Sequence, residues 1–405
     1  MRWQRHHTLW TVLGLGGLAN TMFRRGLGPL LVPLRAEFAL TYSQVSLVAL
    51  LPVLTYALMQ LPAGHLGDRY GRGRLLLVGS LLAGSVLALA GAVPSFAGLV
   101  AVLALAGFGE GTLFGNDRPL IAIHTPPERQ ATGQALTMAS GGVGTLLGVL
   151  GAGLVAEMFG WRYAFLLFAA PAFLFAWAVG RWICPLPEGA AVATVAANLP
   201  GRVGWRALAT ARLLVVYACG VALSFTNWFL NTWGPALFLD AGVSGVGRAS
   251  AFASSFSLPI LVGLPLSGLF IDQLPGMRSR ARFLAGLLGV SGCFIIALGL
   301  GMRYQARPVV LLGIAIGVVA FSFGGWPPLY VFLSAEAPPH RLGLTFGLAN
   351  TAWQGGAISA PLIGGWLRDT TDSFAGGCYL AAALLGASAA AVLIAYRSDN
   401  RGGGP

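Results

Sequence analysis

The sequence contains no lysine; all 25 of its basic residues are arginine. A phosphate-binding P-loop depends on its lysine, and Schiff-base chemistry with pyridoxal phosphate or retinal needs one as well. ATP-driven work and both of those cofactors are therefore excluded from this chain. Histidine is also scarce. His6, His7, His65, His124 and His340 fall in the N-terminal tail or near the ends of apolar runs, which argues against an intramembrane metal site or a histidine-based triad. The cysteines, Cys184, Cys219, Cys293 and Cys378, are far apart and mostly inside apolar runs. They read as small buried apolar residues and not as a disulfide framework. No metal and no cofactor is expected.

Charge of either sign is rare. Only 9% of the 405 residues are charged and 56% are hydrophobic, whereas a soluble domain carries about 25% charged residues. This is the composition of a chain whose main partner is the lipid bilayer. The net charge of +12 does not imply nucleic acid, because the arginines are scattered between apolar runs and not gathered in one domain. The start, MRWQRHHTLWTVLGLGGLAN, has the basic head and apolar run of a signal peptide. No small-x-small cleavage site follows and the apolar stretch resumes to Leu34, so an uncleaved first membrane span is expected.

Runs of about 20 apolar residues can each cross a bilayer. Twelve are present, at 8–34, 42–63, 75–93, 97–123, 132–155, 162–182, 212–238, 249–271, 282–301, 308–334, 343–366 and 374–396. The expectation is an all-α membrane protein with a six-helix bundle over 1–182, a proline-containing cytoplasmic linker over 183–211 and a second bundle over 212–405. With the N-terminus placed in the cytoplasm, 16 arginines fall on the cytoplasmic side, six on the outside, and three, Arg24, Arg25 and Arg118, inside spans. That bias puts both termini on the cytoplasmic side of a cell (inner) membrane.

The halves repeat each other. GHLGDRYGRGR (64–74) follows the second run and GLFIDQLPGMRSR (268–280) follows the eighth. PPER (126–129) and PPHR (338–341) stand 212 positions apart, and at the same offset Glu157 matches Asp369. Repeated bundles with a site between them are a transporter architecture. GHLGDRYGRGR resembles the major facilitator superfamily signature G-x-L-x-D-R-x-G-R-[RK], with Gly73 in place of the last basic residue and Arg74 one step on. Twelve spans, the central loop and GWRYAF (160–165) extend the resemblance over nearly the whole chain. It implies a secondary transporter, not an enzyme, working by alternating access as a monomer.

A carboxylate at the C-terminal end of the second span opposes its helix dipole and needs cationic partners. Asp68 with Arg69 and Arg72, and Asp272 with Arg278 in the repeat, are therefore candidates for a cytoplasmic gate, the alternative being a simple loop cap.

The fourth span, LALAGFGEGTLFGNDRPLIAI, carries Glu110 and Asp117 seven residues apart, hence on one face of a continuous helix, with Arg118 beside them. Charges inside a membrane face a cavity or a partner. The G-x-G-E and N-x-R pattern is similar to the anion:cation symporter branch of the superfamily. There a fourth-span glutamate takes part in proton coupling and a first-span arginine helps to bind carboxylates; Glu110 and Arg25 would match. Leu103 replaces the basic residue expected seven before the glutamate, and Arg24 replaces the Asp often found before the arginine. Physical reasoning points the same way. Arginine stays charged when buried and binds anions bidentately, while Glu110 and Asp117 are candidates to carry the coupling proton. The substrate set would be Arg24, Arg25 and Arg118, joined in the second half by the amides Asn227, Asn231, Asn350 and Gln354 and the aromatics Trp326 and Tyr330. Pairing of the arginines with the carboxylates, and interhelical bonding by the amides, are the structural alternatives. Uptake of a small organic anion with a proton, proton-coupled efflux of drugs or metabolites, and a membrane-embedded enzyme or sensor are the function classes carried forward. Arg24 and Arg25 are placed mid-helix, with Arg25 toward substrate.

Overall fold

The computed structural model describes residues 5–126, 130–186, 208–338 and 342–397. Among the described residues there are only helices, turns and loops. The helices are α1 (Arg5–Gly26), α2 (Leu31–Glu37), α3 (Tyr42–Val45), α4 (Leu47–Tyr70), α5 (Arg72–Ala90), α6 (Phe96–Glu110), α7 (Phe114–His124), α8 (Gln130–Met158), α9 (Trp161–Ala178), α10 (Ala211–Asp240), α11 (Val246–Ser254), α12 (Leu258–Gln273), α13 (Gly276–Arg303), α14 (Pro308–Gly324), α15 (Trp326–Glu336), α16 (Leu342–Thr371) and α17 (Ala375–Ala395). All twelve apolar runs are helical. Nine stretches among the described residues are long and apolar enough to cross a membrane; the first, eighth and eleventh runs lie outside that set.

Five runs are interrupted. The first is broken by a 3-10 turn at Gly28–Leu30, the second at Ser46 between α3 and α4, the fourth between Glu110 and Phe114, the eighth by a 3-10 turn at Ser255–Ser257, and the tenth at Gly325. Each break coincides with glycine, proline or serine, residues that weaken a helix interior. At two junctions glycine is required outright. Gly71, in the repeated GHLGDRYGRGR stretch, and Gly160, which opens GWRYAF, have φ of +97° and +95°, a region that side chains with a Cβ avoid. The GWRYAF stretch also has a partner. Trp161 Nε1 and Arg162 Nη1 both donate to Glu37 Oε2, at 2.6 and 2.8 Å. Those hydrogen bonds hold the Glu37 carboxyl below its ordinary value.

Contacts divide the chain into two units. Unit 1 comprises Met1–Leu40, Val45–Leu199 and Ser244–Ser254; unit 2 comprises Thr41–Gln44, Pro200–Val243 and Ser255–Pro405. Each unit thus includes a short segment from the other half of the sequence, and in each a repeat carboxylate receives it. In unit 1, Glu157 Oε2 accepts the Gly247 N–H at 2.7 Å. In unit 2, Asp369 accepts the N–H groups of Tyr42 and Ser43 at 2.8 and 2.7 Å and the Ser43 hydroxyl at 2.6 Å. The residues matched at one offset in the sequence do matching work, capping the start of a helix.

Glycine allows close helix contact in both units. A Cβ on Gly148 of α8 would stand 2.3 Å from the Met22 carbonyl oxygen and 2.8 Å from its Cα in α1. In unit 2, a Cβ on Gly356 of α16 would stand 2.3 Å from the Val221 carbonyl oxygen in α10. Backbone cannot rotate away as a side chain can. Gly148→Val is therefore expected to cost about 1–3 kcal/mol of stability through overpacking, read as a lower melting temperature in detergent. Gly286→Val, where nothing lies within 4 Å, should melt close to the parent.

Candidate functional site

Four charged residues of unit 1, Arg24, Glu110, Asp117 and Arg118, lie within electrostatic reach of Tyr56 in the middle of α4. α1 ends at Gly26, so Arg24 and Arg25 occupy its last turn, and the mid-helix placement expected from the sequence is corrected. The reason is physical. A helix C-terminus favours cations, and Gly26, Gly28 and Pro29 end the helix there while the apolar run continues into α2. A discontinuous helix of this kind supplies charged ends at membrane depth.

The two arginines have different surroundings. Arg24 is buried, at 9% exposed, with its guanidinium carbon 4.0 Å from the centre of the Tyr56 ring, a cation–π contact. It also lies within electrostatic reach of Glu110. Arg25 is only half-buried and lies within the repulsive field of Arg24.

Glu110 is the last residue of α6 and is 7% exposed. Its Oε2 accepts a hydrogen bond from Asn20 Nδ2 at 2.9 Å. A small cavity of ≈ 20 Å³ beside it is lined in part by Asn20, Ser80, Glu110 and Thr112. Asp117 does not share a continuous helix with Glu110, which corrects a second expectation: the turn at 111–113 separates them, and Asp117 sits in the first turn of α7. Gly109 and Gly111 flank Glu110, and a Cβ on either would meet backbone, at 2.6 Å for Gly79 O and 2.8 Å for Tyr56 O. Those glycines let the chain turn in a crowded place. Asp117 nevertheless remains in the cluster, since Tyr56 lies within reach of Arg24, Asp117, Glu110 and Arg118 together. Arg118 Nε is 3.6 Å from Asp117 Oδ2, and its Nη1 donates to Thr137 Oγ1 at 3.1 Å.

Of the expected gate residues, Arg72 is buried and donates from Nη1 to the Gly115 carbonyl at 3.1 Å, tying α5 to the fourth span. Arg69 is exposed, 5.2 Å from the Tyr70 ring, and Arg278 is exposed at the start of α13. The side chains of Asp68 and Asp272 lie outside the described residues, as do 127–129 and 339–341 of the PPER and PPHR pair.

In unit 2 the rings of Trp326, Tyr330 and Trp353 form one cluster, with centroids 5.1 Å (Trp326–Trp353), 5.6 Å (Tyr330–Trp353) and 6.2 Å (Trp326–Tyr330) apart. Asn227 is buried and accepts from Ser322 Oγ at 2.8 Å. Asn231, Asn350 and Gln354 are half-buried. No group of three His, Cys, Asp or Glu among the described residues is arranged to hold a metal.

Tyr56 is the site residue that sequence reasoning missed. A single tyrosine in the apolar run LVALLPVLTYALMQ carries no spacing signal; only packing shows that Arg24 rests on it.

The profile of the Major Facilitator Superfamily matches residues 13–361. The chain belongs to the major facilitator superfamily. A protein of Agrobacterium vitis that carries the name of a tartrate transporter is 27% identical over 381 residues, covering 86% of this chain and 84% of its own. The human voltage-gated purine nucleotide uniporter SLC17A9 is 28% identical over 343 residues, covering 79% and 75%. The fold resembles that of a D-xylose–proton symporter, with a TM-score of 0.79 over 96% of this chain and 97% of that one, at 17% identity. This major facilitator protein is thus an all-helical, multi-pass membrane transporter, and the family and its relatives are carriers, not enzymes.

Proposed function

We propose that this transporter moves a small organic anion carrying a carboxylate, with a proton as the coupling ion, by alternating access across the cell membrane with both termini in the cytoplasm. One observation carries the reading. Two arginines are consecutive in the last turn of α1, yet Arg24 is buried against Tyr56 and within reach of Glu110, while Arg25 keeps a partly exposed side chain. A charge held inside a membrane without a full enclosure is costly unless it has work to do. Arg25 is the group suited to a carboxylate, through paired charge-assisted hydrogen bonds. Arg24 balances Glu110, and Asn20 orients it, which makes Glu110 the site of the coupling proton. Asp117, already next to Arg118, tunes the same cluster. In unit 2 the Trp326–Tyr330–Trp353 rings and the amides Asn227, Asn231, Asn350 and Gln354 are candidates for substrate contact by that unit. The name of the Agrobacterium relative, a carrier of a dicarboxylate, is in keeping with this chemistry.

A thermal-shift panel on the purified protein tests the substrate class. A ligand that binds the folded state at 100 times its Kd adds about 2.7 kcal/mol of apparent stability. Mono- and dicarboxylates and sugar acids are expected to raise the melting temperature, and cationic drugs to leave it unchanged. Stabilisation by cations alone would instead favour the efflux reading.

A further inference from the structure

We infer that unit 2 carries a binding site for an anionic phospholipid, its acyl chain in a groove between α12, α13 and α14 and its phosphate at Arg280. The groove has a volume of ≈ 480 Å³ and is walled by side chains that include Leu266, Phe270, Phe283 and Phe321. Leu266 and Phe270 are 59% and 56% exposed, and the Phe270 and Phe283 rings stack at 5.3 Å. Ser267 is the single polar side chain on the wall, and its hydroxyl donates to the Gly324 carbonyl. The groove therefore offers no free polar group to a hydrophilic ligand, and hydrocarbon suits it.

One helix face joins this groove to a polar cavity. Arg280, Phe283 and Leu287 follow one another at three and four residues along α13, and such spacing places them on one side of a helix. Phe283 and Leu287 line the apolar groove. Arg280, one turn nearer the start of α13, lines a second cavity of ≈ 460 Å³ with Tyr330, Val331, Ser334 and Ala335. Arg280 Nε donates to the Leu274 carbonyl at 3.1 Å, which fixes the guanidinium at the cavity.

The charge fits an anion. Arg278, Arg280 and Arg282 stand at the start of α13 with Asp272 before it, and Glu336, next to Ala335 of the cavity, is already paired with Arg212 at 3.2 Å. Basic pockets at the ends of membrane helices take anionic headgroups. Here an apolar groove starts one turn from such a pocket, so the head and the chain of one lipid are both provided for. A free phosphate would use only the polar cavity and leave the groove unexplained.

The test is native mass spectrometry of the delipidated, full-length protein in detergent, given equal amounts of palmitoyl-oleoyl phosphatidylglycerol and palmitoyl-oleoyl phosphatidylcholine. Wild type is expected to retain phosphatidylglycerol about fivefold over phosphatidylcholine. Arg280→Gln should bring the ratio to about one, and Ser334→Glu, which adds a negative charge to the same cavity, should do so independently if the first variant does not fold. Leu266→Trp, on the exposed rim of the groove, should lower retention of both lipids. Arg278→Gln, outside the cavity, should keep the wild-type ratio. Equal retention by wild type, or a preference that survives both cavity variants, overturns the site. An equal loss in Arg278→Gln assigns the preference to diffuse surface charge and overturns it too, as does unchanged retention in Leu266→Trp. Displacement of phosphatidylglycerol by millimolar inorganic phosphate would mark a phosphate site instead.

Discussion

Arg25→Ala, reconstituted in liposomes, is expected to insert and melt like the parent but to lose organic-anion transport by at least about 30-fold. That figure follows from the roughly 2–5 kcal/mol lost when one partner of a buried, hydrogen-bonded charge pair is removed. Arg25 is less enclosed than Arg24, which is why folding should tolerate the change. Arg24→Ala should behave differently. It removes the cation from the face of Tyr56 and leaves buried Glu110 with the Asn20 amide as its described hydrogen-bond partner. Loss of a desolvated cation–π contact costs about 2 kcal/mol, so a clear fall in melting temperature is predicted. The measurement is paired melting and uptake on both variants. Normal uptake by Arg25→Ala removes it from the substrate site. A stable Arg24→Ala protein that does not transport would exchange the two roles.

Glu110→Gln is expected to abolish proton-driven accumulation while counterflow exchange continues. Glutamine keeps an oxygen that accepts from Asn20 Nδ2 and fills nearly the same volume, but it cannot take up and release a proton. Internal substrate should then rise only to the external concentration when a pH gradient is imposed, and exchange of labelled for unlabelled substrate should persist. If accumulation against the gradient is unchanged, Glu110 does not carry the coupling proton. The substitution separates coupling from transport because it leaves Arg25 in place.

Much of the fold was legible in the sequence. Apolar runs of span length, divided by arginine-bearing loops, located all twelve helical segments, and the repeat placed Glu157 and Asp369 in matching positions before any contact was visible. The breaks were harder to see. A run such as 8–34 stays predominantly apolar on both sides of Arg24 and Arg25, and hydropathy does not register that Gly26, Gly28 and Pro29 interrupt its backbone. The same limit misplaced Glu110 and Asp117 on one helix: seven-residue spacing implies a shared face only when the helix between them is unbroken. At the site, charges announced themselves because lipid makes them conspicuous. Tyr56 did not, since an aromatic residue in an apolar span is ordinary until a guanidinium is found on its face. The bond from Asn20 to Glu110 spans 90 residues of chain and shows only in the fold.

The break after Glu110 has an electrostatic consequence. Glu110 is the C-terminal residue of α6, where the helix dipole is unfavourable to an anion by about 0.3–1 kcal/mol. On the proposal that Glu110 carries the coupling proton, protonation would remove that repulsion and deprotonation would restore it, right beside the turn at 111–113 where the fourth span is jointed between α6 and α7.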